Sequence, residues 1–345
     1  MRHHAHIPAE RKPTLPAPRG PLSEWLLERL QGEPGRVGEA PAPADGARGG
    51  DDFHLALYVL YELHYASFEG VDERWEWEPS LLAVRAGLER AFEAELDELT
   101  GGARPAFADD IGGQLVDLVR ADDGPPLARY VETQATLDQA LEFVVWRSVY
   151  NLKEADPHSW ALPRLGGAPK AAMVEIQADE YGGGEADRMH AALFAASMDA
   201  LGLDSSYGAY LDVVPGIGLA TVNLMSLFGL QRRWRGATVG HLAAFEMTSS
   251  QPNRRYAGGL RRLGFGKDAT GFFDEHVEAD AVHENIAAFD MAGGLARQQP
   301  DLAGDILFGA RALLALDAGA SRHMLDAWDR RETALLRPLG AAVAG

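Results

Sequence analysis

The 345-residue chain contains no cysteine. This absence excludes disulfides, thiolate zinc sites, cysteine-ligated iron–sulfur clusters and cysteine nucleophiles. Any bound metal must therefore be held by histidine and carboxylate side chains, a donor set that suits iron or manganese better than soft metals.

Basic residues are also scarce. There are 32 of them, four being lysine, against 51 acidic residues, and the formal net charge is −19. Because nucleic acids and anionic membrane surfaces repel a polyanion, neither is expected as a partner. The first residues lack the apolar stretch of a signal peptide, and the uncharged run at 213–230 is interrupted by proline and glycine. We therefore expect a cytoplasmic protein without a membrane span.

The chain shows neither nucleotide-binding motifs nor strand patterns. The glycine triplet 182–184 follows a helical segment and has no phosphate-loop lysine, so it is not a nucleotide-binding loop. Runs of alternating β-branched residues are missing, whereas apolar residues recur at helical spacing from residue 51 onward. The pattern predicts an all-α bundle, with helices that include 126–154, 301–317 and 320–335.

The sharpest local motif is the segment that contains His276, Asp280 and His283. On an α-helix, offsets of four and seven residues return to nearly the same azimuth, so these three side chains share one helix face. Two imidazoles and one carboxylate on one face form a donor set typical of a metal site. The small or apolar residues between them argue against an ordinary solvated helix surface.

Further ligands must come from other helices, and Glu180 and His190 are the first candidates. A regular helix would not align residues ten positions apart, but the glycine triplet between them can break the helix and turn both side chains inward. Asp187, three residues before His190, is an alternative to Glu180.

Two more carboxylates complete the candidates. Glu246 is a lone carboxylate in an apolar helical turn, where burial without a cation would be costly. A position at a helix end close to solvent is the alternative explanation. Glu154 precedes Pro157 and is a candidate for an extra ligand, although a surface glutamate is the simpler interpretation.

The order of these residues resembles the ligand set of the heme-oxygenase-like di-iron oxidases and oxygenases, often described as iron-containing redox enzymes. The resemblance covers about residues 130–335, and the sequence around His190 and Glu246 is also typical of that family. It implies that the metal ligands are Glu180, His190, Glu246, His276, Asp280 and His283.

The resemblance further implies an iron-dependent oxidoreductase with two Fe(II) ions per chain and O2 as co-substrate. Its substrate would be a small organic molecule (an amino acid, an amine or a fatty acid) of the kind typical of specialised metabolism. A homodimer is compatible with such bundles. The alternatives are a non-catalytic or heme-binding protein of the same fold and a ferritin-like iron-handling protein, for which repeated E-x-x-H motifs are missing.

We expect three regions along the chain. Residues 1–50 would form a flexible tail with one short helix, and residues 51–125 an N-terminal helical extension. Residues 126–345 would form the heme-oxygenase-like metal-binding helical domain. This division follows the proline- and glycine-rich composition of the first region and the position of the ligand motifs in the last.

Overall fold

Helices form the regular structure of the described chain. The computed structural model describes residues 12–102, 104 and 106–340, with the backbone alone for 278–282. Within these residues the α-helices are α1 (Pro21–Leu30), α2 (Asp51–Glu62), α3 (Pro79–Thr100), α4 (Ile111–Arg120), α5 (Leu127–Thr133), α6 (Leu137–Asn151), α7 (Asp156–Ser159), α8 (Gly167–Glu180), α9 (His190–Ala200), α10 (Gly216–Leu230), α11 (Arg235–Met247), α12 (Ser250–Arg262), α13 (Lys267–Asn285), α14 (Gly293–Gln298) and α15 (Ala303–Asp329). This part of the chain contains no strand, which confirms the expected all-α class.

A capping box divides the helix expected at 126–154 into α5 and α6. The Thr136 hydroxyl accepts a hydrogen bond from the Gln139 backbone N–H, and the Gln139 side chain accepts one from the Thr136 N–H. This reciprocal pair satisfies two backbone donors at a helix start and leaves Thr136 itself outside the helix.

One helix, α15, replaces the two expected at 301–317 and 320–335. Gly319 lies within it, and a glycine in a helix interior costs only about 1 kcal/mol relative to alanine. Apolar side chains on both sides of this glycine, among them Leu313 and Met324, are buried in the core. The burial of these side chains stabilises the helix by more than Gly319 destabilises it, so the helix continues through the glycine.

Helices α11 and α15 lie close together because each has a glycine that lies against the backbone of the other helix. A Cβ added at Gly240 would collide with the Ile306 carbonyl, and one added at Gly309 would collide with the Ala237 carbonyl. Only residues without a side chain allow this approach. The contact holds α11, which carries Glu246, against the long helix α15.

The N-terminal helices pack onto the same apolar core as the later ones. Buried Asp52, on α2, accepts hydrogen bonds from the Leu22 N–H at 3.1 Å and from the Ser23 N–H at 2.8 Å. It thereby satisfies the donors at the start of α1, as an N-cap residue would. Leu26 and Leu55 then belong to one core with side chains of α6 and α10.

A π-helical segment joins α13 to α14. It spans Ile286–Ala292 and directly follows the two turns that carry His276 and His283. The wider i→i+5 hydrogen-bonding pattern of such a segment changes the direction in which the next side chains project. Buried Met291 and Ala287 pack this segment into the core. None of the described helices is both long enough and apolar enough to span a bilayer.

Candidate metal centre

Carboxylates and imidazoles from five segments meet in the interior of the bundle. One group contains Glu154, Glu180, His190 and His276, and a second contains Glu180, Glu246 and His283. Within each group, one ligand atom per residue lies within 4.8 Å of the others. Each of these six side chains belongs to a residue that is at most 7% exposed. Glu180 is common to both groups.

The glycine triplet brings Glu180 and His190 together. Helix α8 ends at Glu180 and α9 begins at His190, and the three glycines between them all have positive φ angles. A Cβ at Gly182 would lie 2.6 Å from backbone atoms of residues 188 and 189, so this turn requires glycine. The result is a separation of 3.0 Å between His190 Nδ1 and Glu180 Oε2.

His276 is oriented by its own helix. Its Nδ1–H donates to the Phe272 carbonyl at 2.8 Å, which assigns the proton to Nδ1. Its Nε2 lies 3.7 Å from Glu154 Oε1. The Phe272 ring also packs against the imidazole, with ring centroids 4.2 Å apart. The side chain therefore presents Nε2 to the carboxylates.

His283 is oriented by a carboxylate from another helix. Its Nε2–H donates to Asp179 Oδ2 at 2.9 Å, while its Nδ1 lies 3.4 Å from Glu246 Oε2. A carboxylate that holds the second nitrogen of a ligand histidine is a recurring feature of metal sites. The sequence motif did not single out Asp179, although its position beside Glu180 was a signal that could have found it.

The remaining candidates have different outcomes. Glu154 is buried, and the Asn151 amide donates to it at 3.0 Å, so the surface-glutamate interpretation was wrong. Glu246 is 3% exposed, which excludes its placement at a solvent-facing helix end. Asp187 is exposed and belongs to neither group, whereas Glu180 belongs to both. The Asp280 side chain lies outside the described part of the structure, so its role as a ligand stays a prediction.

Burial and mutual attraction shift the pKa values of these groups. Burial lowers the pKa of His283, but Glu246 and Asp179 raise it by more, to about 9. Burial likewise lowers the pKa of His190, and Glu180 raises it by more. Burial raises the pKa of Glu154, but hydrogen bonding to His276 and the charge of that residue outweigh burial and lower it. A metal cation would displace the protons that balance these carboxylates, so binding should release protons.

The donor set fits an iron ion in both groups. Metal–ligand bonds of about 2.1 Å place neighbouring ligand atoms about 3.0–3.4 Å apart, close to the separations at His190 and His283. Among the described residues, Glu154 Oε2, Glu180 Oε2 and His190 Nδ1 are buried without a well-aligned hydrogen-bond partner. Buried polar atoms in this condition are costly unless a cation completes their coordination.

The fold is similar to that of a solved structure. A crystal structure at 2.00 Å of a CADD-like protein of unknown function from Nostoc punctiforme PCC 73102 is 17% identical to this chain, with a TM-score of 0.50. The match covers 68% of this chain and 98% of the other. A structure at 1.35 Å with the same description and organism gives 17% identity, 69% and 98% coverage, and a TM-score of 0.49. A search of curated proteins found no sequence match.

The family comparison covers the part of the chain that carries the candidate metal centre. Residues 141–318 match the family described as iron-containing redox enzyme. This span contains both groups of potential ligands, most of α6, the helices α7 to α14 and the first part of α15. The expected heme-oxygenase-like helical fold is thereby confirmed. The chain belongs to the family of iron-containing redox enzymes and is, at that level, an oxidoreductase.

Proposed function

We propose that this protein is a non-heme di-iron oxidase or oxygenase that uses O2 to oxidise a small organic substrate. One observation carries the proposal: Glu180 belongs to both groups of potential ligands. A carboxylate has two oxygens and can serve two cations at once. In this proposal, Glu154, Glu180, His190 and His276 hold one Fe(II), and Glu180, Glu246 and His283 hold the other.

The charges agree with two divalent ions. If Asp280 is also a ligand, as the sequence predicts, four carboxylates balance two Fe(II) ions. When bound, the irons supply the electrons that O2 requires and open coordination positions for it and for the substrate. The neutral donors are the three imidazoles.

The chain's own residues orient the ligands and keep water out. Asp179 accepts a hydrogen bond from the N–H of His283, and the Phe272 carbonyl accepts one from the N–H of His276. These two bonds fix the orientation of both imidazole rings. Phe194 lies edge-on to Phe272 with centroids 4.9 Å apart, both rings are buried, and that of Phe272 packs against His276. A site walled in this way strengthens electrostatic interactions and limits side reactions.

Iron stoichiometry is the experiment that tests the proposal. The full chain is loaded with Fe(II) under anaerobic conditions, desalted and assayed for iron, and O2 uptake is then followed with an electrode. We expect about two irons per chain and O2 consumption. Glu180→Ala should lose both ions because it serves both groups, whereas Glu246→Ala should lose about one.

Asp187→Ala is the matched control, since this exposed carboxylate lies in the loop between Glu180 and His190. It should retain the iron content of the parent protein. Unchanged iron in Glu180→Ala would overturn the assignment, and absence of iron would favour a non-catalytic binding protein. A heme absorption band would favour the heme-binding alternative, and iron uptake far above two per chain would favour an iron-storage role.

A further inference from the structure

Arg147, on α6, is a partly buried cation that has no partner among the described residues. Its side chain lines a cavity formed mainly by α6, α10, α11 and α15. No described residue forms a hydrogen bond or an ion pair within 4.0 Å with its guanidinium. The guanidinium is therefore available to a ligand in the cavity, and its planar fork of N–H donors matches the geometry of a carboxylate.

Asp317, on α15, faces the same cavity with the opposite charge. It too forms no hydrogen bond or close ion pair with a described residue. Burial raises the pKa of Asp317, and the charge of Arg147 opposes this shift, so the two groups lie near each other without contact. Asp122, at the outer rim, adds a second negative charge.

The cavity has two adjoining parts that share several lining residues. The inner part, of about 70 Å³, is lined mainly by apolar and aromatic side chains such as Phe143, Trp146 and Met225. The outer part, of about 180 Å³, is lined by more polar residues, including Ser249 and Asn253. Both volumes are several times what one water molecule needs. Arg147 and Asp317 line both parts.

The inner end of the cavity adjoins the metal centre. His241 and Phe245 line it, and both lie on α11, with Phe245 directly before Glu246. Tyr150 lines it as well and packs against Phe245, with ring centroids 5.4 Å apart. Burial and then the charges of nearby carboxylates raise the pKa of Tyr150, and those carboxylates are Glu154, Glu180 and Glu246. A molecule in the inner cavity would therefore lie close to the ligand carboxylates.

We propose that Arg147 and Asp317 bind the carboxylate and the ammonium of a small zwitterion, an α-amino acid whose apolar side chain occupies the inner cavity. That this amino acid is the substrate of the enzyme rests on the proposed function, but its binding to Arg147 and Asp317 does not. An α-amino acid carries both charges on one carbon, so it can contact Arg147 and Asp317 at once. The apolar lining of the inner cavity suits the apolar side chain of such an amino acid.

A matched set of small molecules tests the charge requirement. Binding to the metal-free full chain is measured by calorimetry with L-norleucine, hexanoate (which lacks the ammonium) and n-pentylamine (which lacks the carboxylate). L-Methionine and L-phenylalanine extend the set to other apolar side chains. We expect at least one amino acid to bind roughly tenfold or more tightly than hexanoate and n-pentylamine. Equal affinities across the set, or no binding by any amino acid, would overturn the proposal.

Two variants assign each charge to its residue. Arg147→Gln should lower the amino acid's affinity about tenfold while leaving that of n-pentylamine unchanged. Asp317→Asn should lower the affinity for the amino acid by a similar factor while leaving the affinity for hexanoate unchanged. Arg322→Gln and Asp326→Asn, exposed positions on α15, are the controls. A variant that loses affinity for every ligand equally contradicts its assigned role.

The measurements separate this proposal from the proposed function. Amino-acid binding is measured without iron, and iron content is measured without the amino acid. If iron binds at about two per chain but no zwitterion binds, this proposal alone fails. If a zwitterion binds but iron does not, the di-iron function fails and the cavity remains a binding site.

Discussion

Lys153 Nζ lies 2.8 Å from Glu62 Oε2, and both side chains are at most 4% exposed. Tyr207 donates to the same glutamate oxygen at 2.8 Å, and the Tyr58 and Tyr65 rings lie 4.7 Å and 4.5 Å from the ammonium. Burial lowers the pKa of Lys153, but Glu62 together with the Tyr58 and Tyr65 side chains raises it by more. The ammonium thus remains charged, and its contact with Glu62 ties α2 to the segment that carries Glu154.

Replacing one partner of this pair should be strongly destabilising. We expect Lys153→Met to reduce the free energy of unfolding by about 3–5 kcal/mol, because Glu62 would remain as an unpaired buried charge. Chemical denaturation measures the change. The double variant Lys153→Met/Glu62→Gln should recover part of the loss, whereas Arg330→Met at an exposed ion pair should cost less than about 1 kcal/mol. A double variant that is less stable than the single one would contradict this account.

Asp179 should control metal affinity without being a ligand. It holds the Nε2–H of His283 at 2.9 Å, so Asp179→Ala should leave that imidazole less well oriented. We expect the affinity of one of the two metal ions to fall by about 10- to 100-fold. Anaerobic titration with Fe(II) measures it, with Asp187→Ala as the control. An equal effect on both ions would indicate a general loss of structure instead.

Replacement by alanine at two glycines in helix interiors should change the free energy of unfolding in opposite directions. At Gly240 the added methyl collides with the Ile306 carbonyl, and we expect a loss of about 1–3 kcal/mol in unfolding free energy. At Gly271, in α13, an added Cβ meets nothing within 4 Å, so alanine should stabilise the helix by up to about 1 kcal/mol. Thermal and chemical denaturation measure both. Equal responses would show that the close approach of α11 and α15 does not depend on Gly240.

His54 should make stability depend on pH. Burial lowers its pKa from 6.5 to about 4, and the Asn223 amide donates to its Nδ1 at 3.1 Å, which requires the neutral ring. The unfolded chain takes up a proton below pH 6.5, whereas the folded chain does so only near pH 4. The stabilising effect is therefore complete above pH 6.5 and is lost as the pH falls toward 4.

The comparison with His54→Gln isolates this effect from other acid-sensitive groups. The stability advantage of the parent protein over the variant should fall by roughly 2–3 kcal/mol between pH 7 and pH 4.5. Denaturant titrations at the two pH values measure it. An advantage that does not change with pH would mean that His54 is not held neutral in the folded protein.

The site was only partly predictable from the sequence. Helical periodicity put His276 and His283 on one face, and both point to carboxylates of the centre. The spacing of Glu180 and His190 around three glycines indicated a sharp turn, which the structure has. The burial of Glu154 was missed, because its neighbours come from helices that are remote in sequence. The division into a tail, an extension and a metal-binding domain stays a prediction.

The sequence by itself determined the helical class, the absence of thiolate chemistry and the family resemblance, because these depend on composition, period and local motif. Only the tertiary structure decided that Glu180 is shared by both ligand groups, that Asp179 orients His283, and that Arg147 and Asp317 line the same cavity. Arg147 and Asp317 lie on helices far apart in the chain, and no local pattern links them. Such neighbours are chosen by packing, because the side chains that fill the core decide which helix faces meet.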